Sequence, residues 1–254
     1  MIFDTHAHYD DEQFDEDREE LLLSMQEDGV GTIVNAGSDV SSWEDIRNLT
    51  ARYPFVYGAV GVHPDDVGEL NEENFNRLRT ILQEEKIVAL GEIGLDYYWD
   101  KESHEEQKEW FIRQLELAKE LEMPVIIHSR DAAADTLEIM KKYGGKLQGV
   151  IHCFSYSAEL AREYVKMGFF IGIGGVVTFQ NAKKLKEVVK EIPLEFLVLE
   201  TDCPYLAPVP NRGKRNSSLN LIYVAEQISE LKGVSYEEVV AQTEKNARRL
   251  YGME

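Results

Sequence analysis

The chain has 254 residues, 43% of them hydrophobic, which fills one good core and fits a single α/β barrel domain over residues 1–254. No apolar run approaches the roughly 20 residues that span a bilayer. The start, with Asp4 and further acids soon after, lacks a signal peptide's basic and apolar regions, so a cytoplasmic protein without membrane association is expected. A net charge of −20, from 47 acidic and 27 basic residues, argues against broad non-specific binding to duplex nucleic acid, while leaving room for a local cationic patch or a metal-centred phosphate site.

Short β-branched runs alternate with longer charged, amphipathic stretches. The pattern predicts strands over Ile2–His6, Thr32–Ala36, Val56–Val62, Ile87–Glu92, Val125–His128, Gly149–His152, Phe169–Ile173 and Phe196–Glu200. Their ends fall roughly 20 to 35 residues apart, the repeat of strand–helix units in a (β/α)8 TIM-type barrel. Between them, Glu105–Leu121 carries Trp110, Phe111, Leu115, Ala118 and Leu121 at near-helical spacing. Two terminal helices are expected near Asn220–Leu231 and Ser235–Tyr251, the second opened by a Ser235 and Glu238 capping box and closed by Gly252. An open doubly wound sheet has the same alternation. The polar residues decide for the barrel, because only a barrel aims every strand's C-terminal end at one mouth.

Those polar residues are His6 and His8 after the first strand, His63 after the third, Glu92 after the fourth, His128 after the fifth, His152 after the sixth and Asp202 after the eighth. The list holds five of the six histidines. His6 and His8, two apart, face one side of a strand end, where they either hold a cation or stand as two polar residues at the mouth. Together, imidazoles and carboxylates make a mixed nitrogen and oxygen set for one or two ions such as Zn²⁺, Mn²⁺ or Mg²⁺. Cys153 and Cys203 each follow a ligand-type residue, so on a strand they would face away into the core. They are too few for a disulfide framework.

The ordered segments Asp4-Thr5-His6-Ala7-His8, Gly61-Val62-His63-Pro64, Gly91-Glu92-Ile93-Gly94-Leu95-Asp96, His128-Ser129-Arg130, His152-Cys153-Phe154-Ser155 and Glu200-Thr201-Asp202-Cys203-Pro204-Tyr205-Leu206 resemble the TatD-type metal-dependent deoxyribonucleases of the amidohydrolase superfamily. The resemblance covers nearly the whole chain. It implies a (β/α)8 barrel with a dinuclear centre at its mouth, in which His6, His8 and Asp202 hold one ion, His128 and His152 the other, and Glu92 bridges them. Many related two-metal hydrolases bridge with a carbamylated lysine at that place, so Glu92 weakens a cyclic-amidase or phosphotriesterase reading.

The chemistry expected of such a site is hydrolysis of DNA phosphodiesters, with single-stranded or frayed ends as substrate and no obligate protein partner. Two ions lower the pKa of water and steady both attacking and leaving oxygens. Asp202 can orient or deprotonate that water, and Glu92 holds the ions together. His63 faces substrate, positioning a phosphate oxygen by hydrogen bond, or is a turn histidine before Pro64. Glu200, two before Asp202, can orient a ligand histidine. Arg130 is open to a phosphate contact and to a surface salt bridge. Arg212, Lys214 and Arg215 concentrate positive charge in the loop after the eighth strand, a usual place for barrel phosphate sites, and resemble the family's Arg-Gly-Lys-x-Asn segment at the substrate groove. Solvent exposure is the other reading of that loop. Departures from the family pattern at Asp65, Tyr156 and Ser217 to Leu219 spare every ligand-type residue but bear on substrate, and a small-molecule amide, lactone or phosphoester hydrolase with the same dinuclear site is the alternative.

Overall fold

The computed structural model describes residues 1–99 and 103–253. Eight parallel strands pair each with the next: β1 (Ile2–Ala7), β2 (Val30–Ala36), β3 (Val56–Val60), β4 (Ile87–Asp96), β5 (Val125–Arg130), β6 (Gly149–Ile151), β7 (Phe170–Ile173) and β8 (Leu197–Leu199). Helices α1 (Arg18–Ser24), α2 (Ser42–Arg52), α3 (Glu72–Ile81), α4 (His104–Glu120), α5 (Ala133–Lys141), α6 (Ala158–Lys166), α7 (Lys183–Glu191) and α8 (Leu221–Lys232) follow the strands in turn. Helix α9 (Tyr236–Leu250) ends the fold, and Ser235 caps it as expected, its Oγ accepting the Glu238 N–H at 3.1 Å. Among the described residues no helix is long and apolar enough to cross a membrane.

The expected (β/α)8 barrel is what forms, closed by a seam. β1 and β8 share no ladder. Instead Ala7 and Cys203 make a single parallel bridge, with His8 N–H donating to the Cys203 carbonyl at 2.9 Å and Asp202 N–H to the His6 carbonyl at 2.9 Å. Below the seam lies the buried carboxylate of Asp4, which accepts the Thr201 N–H at 3.0 Å, the Thr201 hydroxyl at 2.7 Å and the Ser218 hydroxyl at 2.6 Å. A buried acid surrounded by donors is far less costly than a bare one, although burial still pushes the Asp4 pKa up to about 6.

Phe3, Val34, Ala59, Ala89, Ile126, Val150, Phe170 and Val198, one from each strand, form one apolar cluster with Ala247, Leu250 and Tyr251 at the end of α9. Opposite strand faces, including Val60, Leu90, Ile127, Ile151, Ile171 and Leu197, pack with the surrounding helices. His128, His152 and Glu200 stand two residues beyond Ile126, Val150 and Val198, so strand alternation alone puts a polar layer above the apolar one. His6 and Glu92 get there differently. Between Asp4 and Ala7, and again between Leu90 and Ile93, the strand spends three residues against two on its partner. Each extra residue reverses the alternation and turns its side chain inward.

Element ends also differ from expectation. β4 continues to Asp96 because Gly94, at φ +153°, lets the backbones of β4 and β5 close in: a Cβ there would sit 1.9 Å from the His128 carbonyl oxygen. β6 stops at Ile151, so Cys153 (φ +44°) has left the strand and lines the mouth cavity instead of entering the core, whereas Cys203 is buried as expected.

Candidate metal centre

His6, His8, Glu92, His128, His152 and Asp202 converge at the barrel mouth, and all but the fully buried His6 line a cavity of about 750 Å³ together with His63, Arg130, Trp99 and Tyr205. Glu92 sits in the middle. Its Oε2 lies 3.2 Å from His6 Nε2 and 3.8 Å from His8 Nε2. Its Oε1 lies 2.7 Å from His128 Nδ1 and 2.7 Å from His152 Nε2. Asp202 Oδ1 completes the first group, 3.3 Å from His8 Nε2 and 3.6 Å from His6 Nε2.

Behind two of the rings, hydrogen bonds set which nitrogen faces inward. His8 Nδ1–H donates to the Ala36 carbonyl at 2.8 Å, so the Nε2 lone pair points at the cluster. His128 Nε2–H donates to Asp96 Oδ2 at 3.0 Å, which turns the Nδ1 lone pair toward Glu92 Oε1. Two acceptors facing each other at 2.7 Å repel unless a cation or proton lies between them. The direction of the pKa shifts agrees with this. Burial opposes charge on His8, but the hydrogen bond and charge of Asp202 and the charge of Glu92 overcome it and push His8 up to about 10. His128, likewise against burial, is pushed up to about 9 by Asp96 and Glu92. Glu92 is held well below the usual carboxylate range, against burial, by the charge of His152 and bonds from the imidazoles. His6, by contrast, falls to about 4 through burial and the charge of His152. The cluster is built around ionised carboxylates and favours positive charge, and its donor set fits a divalent cation.

A family model described as TatD related DNase matches residues 3–252. The chain belongs to this family. It is 48% identical over 252 residues, covering 99% of each chain, to a Bacillus subtilis (strain 168) protein named "Uncharacterized metal-dependent hydrolase YabD". It is 35% identical over 257 residues, 98% of this chain and 97% of the other, to "3'-5' ssDNA/RNA exonuclease TatD" of Cronobacter sakazakii (strain ATCC BAA-894). The crystal structure of YJJV, a TatD homologue from Escherichia coli k12, superposes with a TM-score of 0.93 at 31% identity, covering 99% of this chain and 98% of that one. The protein is therefore a metal-dependent hydrolase of the TatD family.

The remaining expected site residues are placed unequally in this TatD-family barrel. His63 reaches the cavity, its Nε2 3.6 Å from Glu92 Oε1. The Asp65 N–H donates to His63 Nδ1 at 3.2 Å, leaving the proton of a neutral ring on Nε2. Burial, with the charge of His128, lowers the His63 pKa to about 3, so the ring is neutral and presents a donor. Arg130 is exposed at the rim and lies over Tyr98, with no ion pair among the described residues. Arg212 stacks over Phe179 and Lys214 is exposed. Arg215 is engaged elsewhere: it grips both Asp17 oxygens at 2.7 and 2.5 Å and donates to the Gln13 carbonyl at 2.6 Å, pinning the loop to the start of α1.

Glu200 makes no hydrogen bond to a ligand-type histidine. Its Oε1 accepts the Cys153 N–H instead, bracing the turn just after His152. Gly172 makes room for this buried side chain, since a Cβ there would meet Glu200 Oε2 at 2.2 Å. Burial pushes the Glu200 pKa up to about 8.

Asp96 is the functional candidate that sequence reasoning passed over. It stood within the Gly91 to Asp96 segment, but with the strand expected to end at Glu92 it had no assigned place. In the structure it orients His128, and Asp96→Asn should lower metal affinity or activity by roughly 10- to 100-fold, the usual cost of removing a carboxylate behind a ligand imidazole. Isothermal titration with Mn²⁺ would show this. An affinity equal to the parent's would mean that Asp96 does not set the ring.

Proposed function

We propose that the protein hydrolyses phosphodiester bonds of DNA at single-stranded ends, using water that two divalent ions, Mg²⁺, Mn²⁺ or Zn²⁺, would activate. The observation that carries this reading is the division of Glu92, one oxygen among His6 and His8 and the other between His128 and His152. His6, His8 and Asp202 would hold one ion, His128 and His152 the other, with Glu92 shared. Such a pair of ions supplies Lewis acidity and brings the pKa of water toward neutrality.

The chain's own residues do the rest. Asp202, ionised at neutral pH despite its burial because His8 and the other imidazoles face it, orients the attacking water and accepts its proton. Its side chain is 20% exposed, so it meets the cavity. His63 donates Nε2–H to a phosphate oxygen. Arg130 contacts phosphate at the rim, and Arg212 and Lys214 contact the strand beyond it, with Arg215 holding their loop in place. A cavity of about 750 Å³ lies in the range of small-ligand sites and suits a strand end. The name of the Cronobacter relative, a single-strand DNA and RNA exonuclease, supports the same substrate class.

The test is a panel of end-labelled single-stranded DNA, duplex DNA, RNA and small ester or amide substrates, assayed after reconstitution with each metal. Progressive shortening of the single strand is expected. Turnover confined to small amides or lactones would overturn the reading.

The basic loop gives a second expectation. Arg212→Ala/Lys214→Ala should raise KM for an oligonucleotide and reduce the slope of log affinity against log salt by about 1.4, near 0.7 for each phosphate of a single strand that is no longer neutralised. Arg215→Ala should instead lower the melting temperature by loosening the loop from Asp17. An unchanged KM and salt slope in the double variant would return the loop to solvent.

A further inference from the structure

The rim of the cavity carries aromatic surface that holding cations does not require. Trp99 is 67% exposed and Tyr98 49%, and their rings meet edge to face at 4.7 Å. The Arg130 guanidinium lies 4.0 Å from the Tyr98 ring centre and 5.4 Å from that of Trp99. The backbone beneath them is fixed: Asp96 Oδ1 accepts the N–H groups of Tyr98 at 2.8 Å and Trp99 at 3.3 Å, while Asp96 Oδ2 takes His128. One carboxylate thus ties the aromatic pair to the centre of the site.

We propose that Trp99 and Tyr98, with Arg130, form a stacking platform for an unpaired nucleobase next to the phosphate held at the mouth. The proposal rests on the nuclease reading for the identity of its ligand. A flat, exposed indole backed by a guanidinium suits a base, because every base offers a π face and burial of both faces follows from stacking. Arg130 adds a charge for the phosphate of the same nucleotide, which a chain of net charge −20 otherwise repels. Duplex DNA has its bases stacked already and offers no face, so the platform also selects for single strands.

Tryptophan fluorescence reads this out without turnover. Of the three tryptophans, Trp43 and Trp110 are buried, at 0% and 9% exposure, so quenching by added ligand reports on Trp99. The metal-loaded protein is titrated with a phosphorothioate oligothymidylate and with an abasic strand of equal length. Saturable quenching by the first is expected, with affinity about 5- to 100-fold above that for the abasic strand. The variants lack the reporting indole, so their affinities, and the parent's for comparison, are read by anisotropy of the same strands carrying a 5′ fluorescein: Trp99→Leu should lose this difference and Trp99→Phe should keep most of it. Equal affinity of the parent for both strands overturns the platform, as does unchanged oligothymidylate affinity in Trp99→Leu. A shift in sedimentation of Trp99→Leu with unchanged affinity would assign the rings to self-association and overturn it too. Failure of the nuclease reading would show separately, as quenching without cleavage of an unmodified strand.

Discussion

Glu92→Ala is expected to remove nearly all activity, with kcat/KM falling by roughly 10³-fold or more, because several kcal/mol of transition-state charge stabilisation accompany the cations that this side chain would share. The substitution strips the one group that lies within 2.7 Å of both His128 and His152 while also reaching His6 and His8. Metal content measured by inductively coupled plasma mass spectrometry should fall from about two ions per chain in the saturated parent. His128→Ala/His152→Ala should lose one ion and keep the other. Full activity in Glu92→Ala, or an unchanged ion count in the double variant, would dismantle the shared-carboxylate arrangement.

Asp202→Asn separates holding from chemistry. The amide keeps an oxygen facing His6 and His8 but loses most of its basicity, so kcat should drop by roughly 10²–10⁴, the usual worth of a positioned acid or base. Metal content should change much less. In the metal-free protein His8 provides an internal check, since its raised pKa depends on the hydrogen bond and charge of Asp202: removing that charge lowers the pKa, which imidazole NMR would follow. A parent-like kcat would show that Asp202 neither orients nor deprotonates the water.

Much of this site was legible before any coordinates because polar residues at the mouths of strands are costly unless they have work there. His128 and His152 follow from alternation alone. His6 and Glu92 do not: their inward orientation depends on one extra residue in β1 and in β4, and nothing in the run of side chains marks where a strand will bulge. The length of β4, and with it the place of Asp96, depends on how closely Gly94 lets β5 approach, which is a contact between segments far apart in the chain. The same holds for Arg215, whose partner Asp17 comes from the opposite end of the sequence. Local pattern reports which residues are costly; tertiary contact decides where each one turns.

The seam has a further consequence for how the molecule is made. Asp4 and Thr201, joined at the closure, lie 197 residues apart, and His6 and His8 are on one side of the join with Asp202 on the other. During synthesis the two histidines emerge long before Asp202. If His6, His8 and Asp202 share an ion, as proposed, that ion meets its full set of ligands only once the last strand has found the first, whereas Glu92, His128 and His152 all precede the seam's second half. Metal uptake would then act as a latch on the completed barrel, fastening its two free edges together, and chelation would loosen the molecule first along that line.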